Sequence, residues 1–290
     1  MRMGTENDVL ENLINKNTTK DVSLLKRLIV IDIMVPTVVI FAFAGGWPFT
    51  IFVTFVLCVA GWEFWRIFTK GGYTPSLIVM LTFIASAVVM RYLWGLVYMD
   101  VWLAVLILTS MFIHIVLQQK GDHKTGSSFA LTVSGAVYLG WLGGYAISVR
   151  TLEHGLLWVL LVFPVISLAD SGAYIFGRLF GKHKMLTVVS PKKSWEGYIG
   201  GIIVGGLGGW GLAALWHIVS QSILPIHGLI LGIVISVLAP IGDFGESMIK
   251  RQFSIKDSSN ILPGHGGFLD RIDSSLWAAV IGYYLVLFIR

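Results

Sequence analysis

From residue 28 to the carboxyl end the chain is a succession of apolar runs of roughly twenty residues, each about the length a helix needs to cross a bilayer. The runs fall near residues 28 to 45, 47 to 68, 75 to 96, 100 to 118, 128 to 149, 155 to 177, 197 to 217, 226 to 249 and 272 to 289. With 56% apolar and only 13% charged residues, a soluble domain would be left with large exposed apolar patches, so the bilayer must serve as solvent. A backbone in hydrocarbon has to satisfy its own hydrogen bonds, and these runs are too long and uniform for barrel strands. The expectation is an all-α polytopic membrane protein with about nine spans. Its first two spans are joined by a tight Gly45-Gly46-Trp47 turn. Residues 1–27 are polar, in the wrong order for a cleaved signal peptide, and are expected to form a short cytosolic or surface-lying segment. The lone Cys58 lies in an apolar run and reads as packing.

Connections carry charge on alternate sides. One side receives Lys16, Lys20, Lys26 and Arg27, then Arg66 and Lys70, then Lys120 and Lys124. The same side receives Arg178, Lys182, Lys184, Lys192 and Lys193, and later Lys250, Arg251 and Lys256. Little beyond Arg91, Arg150 and Arg290 falls opposite. Because cationic loops stay in the cytoplasm during insertion, the amino terminus is expected inside and the carboxyl terminus outside. Most of these cations need no further explanation. The connections 178 to 196 and 250 to 271 do, because glycines, prolines and acids are interleaved with the cations, which suits a cytosolic site for phosphate-bearing ligands. No pair of matching halves with broken helices supports a transporter.

An acid in the apolar part of a spanning helix costs about 2.5–3.5 kcal/mol, so each one needs a partner or a role. Asp32 is close to Arg27, and Glu63 sits among tryptophans three residues from Arg66; both read as locally compensated interface residues. Asp243 is different. It follows Pro240 and Gly242 and starts the stripe Asp243, Glu246, Ser247, Lys250 along one helix face, which must look into the protein or a wet cavity. Asp170, Tyr174, Gly177 and Arg178 form a comparable stripe. Beyond the eighth span, Pro263, Gly264, Gly266 and Gly267 predict a tight turn whose amides approach phosphate. Asp270 and Asp273 then open the last helix on one face. Carboxylates among lysines and arginines suit Mg²⁺ shared with polyphosphate, while the lack of cysteine or paired histidine disfavours zinc. His265 between glycines reads as a turn residue or donor ahead of a general base.

The stretch from Ser247 to Asp273, with its Lys250-Arg251, Lys256-Asp257, His265-Gly266-Gly267 and Asp270-Arg271-Ile272-Asp273 elements, resembles the signature of the phosphatidate cytidylyltransferases, or CDP-diacylglycerol synthases. The segment from Asp170 through Arg178 to Ser190-Pro191-Lys192-Lys193-Ser194-Trp195-Glu196-Gly197 is similar to bacterial members, with Ser where Thr is common at 171 and 194. The resemblance covers the last 125 residues or so strongly and the earlier spans by topology alone. It implies a catalytic region over residues 150–290, preceded by transmembrane helices over 28–149, in the cytoplasmic (inner) membrane with the site facing the cytosol. It implies CTP and phosphatidic acid as substrates, Mg²⁺ with a second cation such as K⁺, a homodimer, and no nucleic acid partner.

Under this resemblance Asp243 and Asp270 are metal ligands supported by Glu246 and Asp273. Lys250, Arg251, Lys256 and Arg271 hold phosphates, and Ser190, Lys192, Lys193 and Ser194 cradle those of one substrate. Asp170, Tyr174, Arg178, Glu196, Ser247, Asp257, His265, Gly266 and Gly267 complete the substrate-binding set. A CTP-dependent polyprenol or phytol kinase and an ion-coupled transporter stand as alternatives. The spacing of acids in CDP-alcohol phosphotransferases is not found here.

Overall fold

A computed structural model describes residues 34–122, 124–262 and 266–289. The expected amino-terminal segment, Asp32 with its neighbour Arg27, and the turn residues Pro263, Gly264 and His265 lie outside the described residues.

Helices α1 (Met34–Ala44), α2 (Gly46–Lys70), α3 (Leu77–Trp94) and α4 (Met99–Gln119) come first. The next crossing, Thr125–Thr151, is assembled from α5 (Thr125–Gly135), a π-helical stretch over Ala136–Trp141 and α6 (Tyr145–Thr151). Helix α7 (Gly155–Phe180) leads to a hairpin of β1 (Lys184–Leu186) and β2 (Ser190–Ser194), followed by α8 (Trp195–Val219). The crossing Pro225–Gln252 is divided into α9 (Pro225–Leu238) and α10 (Pro240–Gln252), and α11 (Leu269–Ile289) ends the chain. Among the described residues, eight helical segments are thus long and apolar enough to span a membrane. They coincide with the second to ninth expected runs, and α1 is the described part of the first. The two short antiparallel strands, with Lys184 opposite Ser194 and Leu186 opposite Ser190, are the departure from a purely helical expectation.

Large apolar side chains such as Ile78, Leu108, Phe112 and Leu207 stand exposed on the outside, as lipid-facing residues must. Inside, small residues replace them. The buried face of α8 is Gly197, Gly200, Gly201, Gly205, Gly206, Gly209 and Ala213. A Cβ on Gly209 would strike the Gly228 carbonyl of α9, and one on Gly228 would strike the Gly209 carbonyl and Ala213. The two backbones therefore touch, which is how helices associate where lipid removes the hydrophobic drive between them. Gly228→Leu should force α8 and α9 apart and lower the thermal midpoint in detergent, at a cost of about 1–3 kcal/mol or more for overpacking; an unchanged midpoint would contradict this packing.

One close approach positions the site. Pro240 sits at the start of α10, where its missing N–H costs nothing and breaks the crossing after Ala239. Gly242 then lies so near the Asp273 carbonyl and Trp277 that no Cβ fits between them. The first turns of α10 and α11 are pressed together, each carrying an acid.

Candidate active site

Asp243, Glu246 and Asp273 each offer an oxygen within 4.8 Å of the other two. Glu246 and Asp273 are buried, and Asp243 is half-buried. Ser247 Oγ donates to Asp243 Oδ1 at 3.3 Å, and Lys193 Nζ is ion-paired with Asp243 Oδ2. Lys250 Nζ donates to Glu246 Oε2 at 3.0 Å and to Asp270 Oδ1 at 2.6 Å. The α10 stripe read from the sequence thus shares one face, as its spacing requires.

Asp270 looks elsewhere. Its Oδ2 accepts from Ser258 N at 2.9 Å, Ser258 Oγ at 2.8 Å and Gly267 N at 2.8 Å. The carboxylate of Asp270 therefore folds the loop and bridges it to Lys250, whereas Asp273 stands with Asp243 and Glu246. Gly266 has a positive φ of 80°. The described turn amides, however, serve carboxylates: Gly267 N donates to Asp270, and Phe268 N and Leu269 N donate to Glu63 at 3.1 and 2.7 Å.

A cavity of about 460 Å³, within the range of small-molecule sites, joins this cluster to the second basic segment. Asp170, Tyr174, Gly177 and Arg178 of α7, Lys192, Lys193 and Ser194 of the hairpin, Asp243 of α10, and Asp270, Arg271 and Asp273 of α11 all line it. Lys193 extends over the Phe244 ring at 4.4 Å to reach Asp243. Ser194 caps α8, its Oγ accepting from Gly197 N at 3.3 Å.

Other expected site residues lie off the cavity wall. Glu196 holds the hairpin base, accepting from His183 N at 3.1 and 3.2 Å and lying 2.5 Å from His183 Nδ1. Ser190 pairs with Leu186 across the hairpin, and Arg251 Nε donates to the Val189 carbonyl at 3.3 Å. Lys256 is exposed, and Asp257 lines a separate recess of about 100 Å³ with Arg66 and Lys70.

Glu63 departs most from its sequence reading. It is not an interface residue paired with Arg66, whose guanidinium lies over the Trp62 ring at 5.2 Å. It is fully buried and, besides the two amides of α11, accepts from Ser258 Oγ at 3.1 Å and Ser259 Oγ at 2.5 Å. The cost of an acid in an apolar helix flagged it. Its partners, 195 to 206 residues away, could not be seen in local spacing.

The cluster suits a hard divalent cation. Asp243, Glu246, Asp270 and Asp273 have only Lys193 and Lys250 within ion-pair distance among the described residues, so four carboxyl groups share two cations. Glu246 Oε1 is a buried acceptor with no partner among them, an arrangement that is expensive unless something binds there. Oxygen-only donors, here brought together from α10 and α11, are those that Mg²⁺ prefers.

The model of the cytidylyltransferase family matches residues 25–289. A phosphatidate cytidylyltransferase from Bacillus subtilis is 40% identical over 153 residues, 52% of this chain and 55% of that protein. One from Staphylococcus epidermidis is 42% identical over 139 residues, 46% of this chain and 50% of that protein. The alignments thus span about half the length of these two relatives. A third, from the cyanobacterium Synechocystis, is 30% identical over 278 residues, 83% of this chain and 89% of that protein.

Proposed function

Because the chain belongs to the cytidylyltransferase family, we propose that it joins CTP to phosphatidic acid, giving CDP-diacylglycerol and pyrophosphate, in the cavity between α7, the hairpin, α10 and α11. The observation that carries this reading is the convergence, around one cavity, of the carboxylate cluster with cations from three separate elements: Arg178, Lys192 with Lys193, and Arg271.

The chemistry needs no dedicated base. A phosphomonoester has a second pKa near ~6, so the phosphate of phosphatidic acid is already ionised at neutral pH. One of its oxygens attacks the α-phosphorus of CTP, the bond from that phosphorus to the β-phosphate bridging oxygen breaks, and pyrophosphate leaves with the electron pair. What the protein supplies is alignment and screening of two anions. Lys192, Lys193, Arg178 and Arg271 hold phosphate oxygens; Lys193, ion-paired with Asp243, is placed to follow charge from the carboxylate to a substrate. Lys250 keeps Glu246 and Asp270 in register. Asp243, Glu246 and Asp273, with Asp270 on the same cavity wall, would hold Mg²⁺, which neutralises the triphosphate when bound; a second cation such as K⁺ belongs to the same reading. Tyr174 lines the cavity and is 66% exposed, beside exposed Ile175, Leu179 and Phe180. This suits a lipid whose tails stay in the bilayer while its headgroup meets soluble nucleotide. The cationic connections favour placing this end of the bundle at the cytosolic face of the cytoplasmic membrane, and a homodimer is the expected assembly.

Purified protein in phosphatidate-containing vesicles should release pyrophosphate only when CTP, phosphatidate and Mg²⁺ are all present, with EDTA stopping the reaction. Turnover of CTP with polyprenol in place of phosphatidate would favour a lipid kinase. Solute flux without nucleotide consumption would favour a transporter.

A further inference from the structure

We propose that Glu63, on α2, is a positioning residue for the carboxylate cluster, acting through Ser258 and Asp270. The proposal rests on the function inferred above and extends the site into helices that precede the region where the sequence signatures lie.

The geometry forms a continuous chain of contacts. The amides of Phe268 and Leu269 enter the first turn of α11 and have no intrahelical acceptor of their own. Both donate to Glu63, so a helix nearly the whole chain upstream caps α11 with a carboxylate at its positive end. Ser259 Oγ donates to Glu63 Oε1, and Ser258 Oγ lies within hydrogen-bond distance of both Glu63 Oε2 and Asp270 Oδ2. With one proton, that hydroxyl serves one carboxylate at a time, while backbone amides hold the other. Asp270 in turn accepts from Lys250, and Lys250 also donates to Glu246, whose second oxygen is unpartnered among the described residues beside Asp243 and Asp273. Gly267 makes the arrangement possible, since a Cβ there would strike Ser258 Oγ and the Glu63 carboxylate. A carboxylate serving only the stability of α2 would gain nothing from reaching across the bundle to the start of α11 and the loop that fix Asp270 and Asp273. Glu63 sets where those two acids stand, and through Lys250 where Glu246 stands.

The test compares wild type with Glu63→Gln, which keeps size but replaces one oxygen, the acceptor for two of the four donors, with an N–H group, and with Ser259→Ala, which removes one donor to Glu63 without touching Asp270. Two readouts are used: cytidylyl transfer against Mg²⁺ concentration, and the Mg²⁺-induced rise in thermal midpoint, which needs no turnover. For folded Glu63→Gln the Mg²⁺ concentration at half-effect should rise about 10–100-fold in both readouts, the scale for outer partners of a metal site. Its kcat should fall by a similar factor and its KM for phosphatidate stay within about twofold. Ser259→Ala should move the same quantities the same way by about 3–10-fold. Amide exchange over residues 254–262 should quicken in both variants. A folded Glu63→Gln protein with an unchanged Mg²⁺ midpoint overturns the proposal. Where that variant does not fold, an unchanged midpoint in Ser259→Ala overturns it equally, as does a wild type whose thermal midpoint ignores Mg²⁺. Wild-type protein that responds thermally to Mg²⁺ but transfers no cytidylyl group refutes the functional reading and leaves the role of Glu63 tested by the thermal arm.

Discussion

Asp243→Asn should lower kcat for cytidylyl transfer by about 10²–10³-fold or more, the scale seen when one preorganised charge is removed from a transition state, while the protein stays folded in detergent. The reason is local. Asp243 is the one member of the cluster that is half-buried, lines the cavity and meets the hairpin lysine Lys193. Replacing its carboxylate with an amide removes a ligand for a hard cation and the counter-charge of Lys193 together. Little packing is lost, because Asn has nearly the same shape, and Lys193 and Asp243 are each about a third exposed, so water screens the cation left behind and thermal stability without Mg²⁺ should change by less than about 1 kcal/mol. The measurement is initial rate at saturating CTP and phosphatidate, normalised to folded protein. Activity within threefold of wild type would remove Asp243 from the reaction.

Lys250→Met should act chiefly on stability, and strongly. Lys250 is buried between Glu246 and Asp270, both of which accept from its ammonium. Methionine fills similar space but leaves two buried carboxylates with no cation between them, and breaking a buried ion pair by removing one partner costs about 3–5 kcal/mol. The expected outcome is a large fall in thermal midpoint in the absence of Mg²⁺, partly recovered by millimolar Mg²⁺ as the ion supplies the missing positive charge. Lys250→Arg should fall between the two, because the charge survives while the planar fork must fit a space shaped for an ammonium. A midpoint for Lys250→Met equal to wild type would show that Glu246 and Asp270 do not depend on this cation.

What could be read in the sequence follows from how far apart the interacting residues are. Apolar runs marked the crossings, because hydropathy acts within one segment, whereas the division of the eighth run into α9 and α10 at Pro240 was not foreseen. The face shared by Asp243, Glu246, Ser247 and Lys250 is likewise a matter of helical spacing, and the Ser247 to Asp243 and Lys250 to Glu246 bonds are its i, i+4 contacts. Spacing could not show how Asp270 and Asp273 differ in their surroundings. Three residues apart at the head of α11, they read as a ligand, Asp270, and its support, Asp273; in the structure Asp270 also accepts from Ser258, Gly267 and Lys250, while Asp273 stands with Asp243 and Glu246. Nothing local distinguishes them; the fold of the loop does. The glycine turn was read as a phosphate cradle because amides there are free of side chains, and the same freedom lets the carboxylates of Asp270 and Glu63 approach them. The hairpin was hidden for another reason: strands of three and five residues in a lysine-rich connection have no periodicity to reveal them.

The most direct test of the central claim is the fate of labelled phosphorus. Protein in phosphatidate vesicles with Mg²⁺ is given CTP labelled with ³²P at either the α- or the γ-position, and the lipid fraction is counted. Cytidylyl transfer predicts that α-label enters the lipid in proportion to pyrophosphate released and that γ-label stays in the aqueous phase. Lipid carrying γ-label, or no label from either CTP, would contradict it.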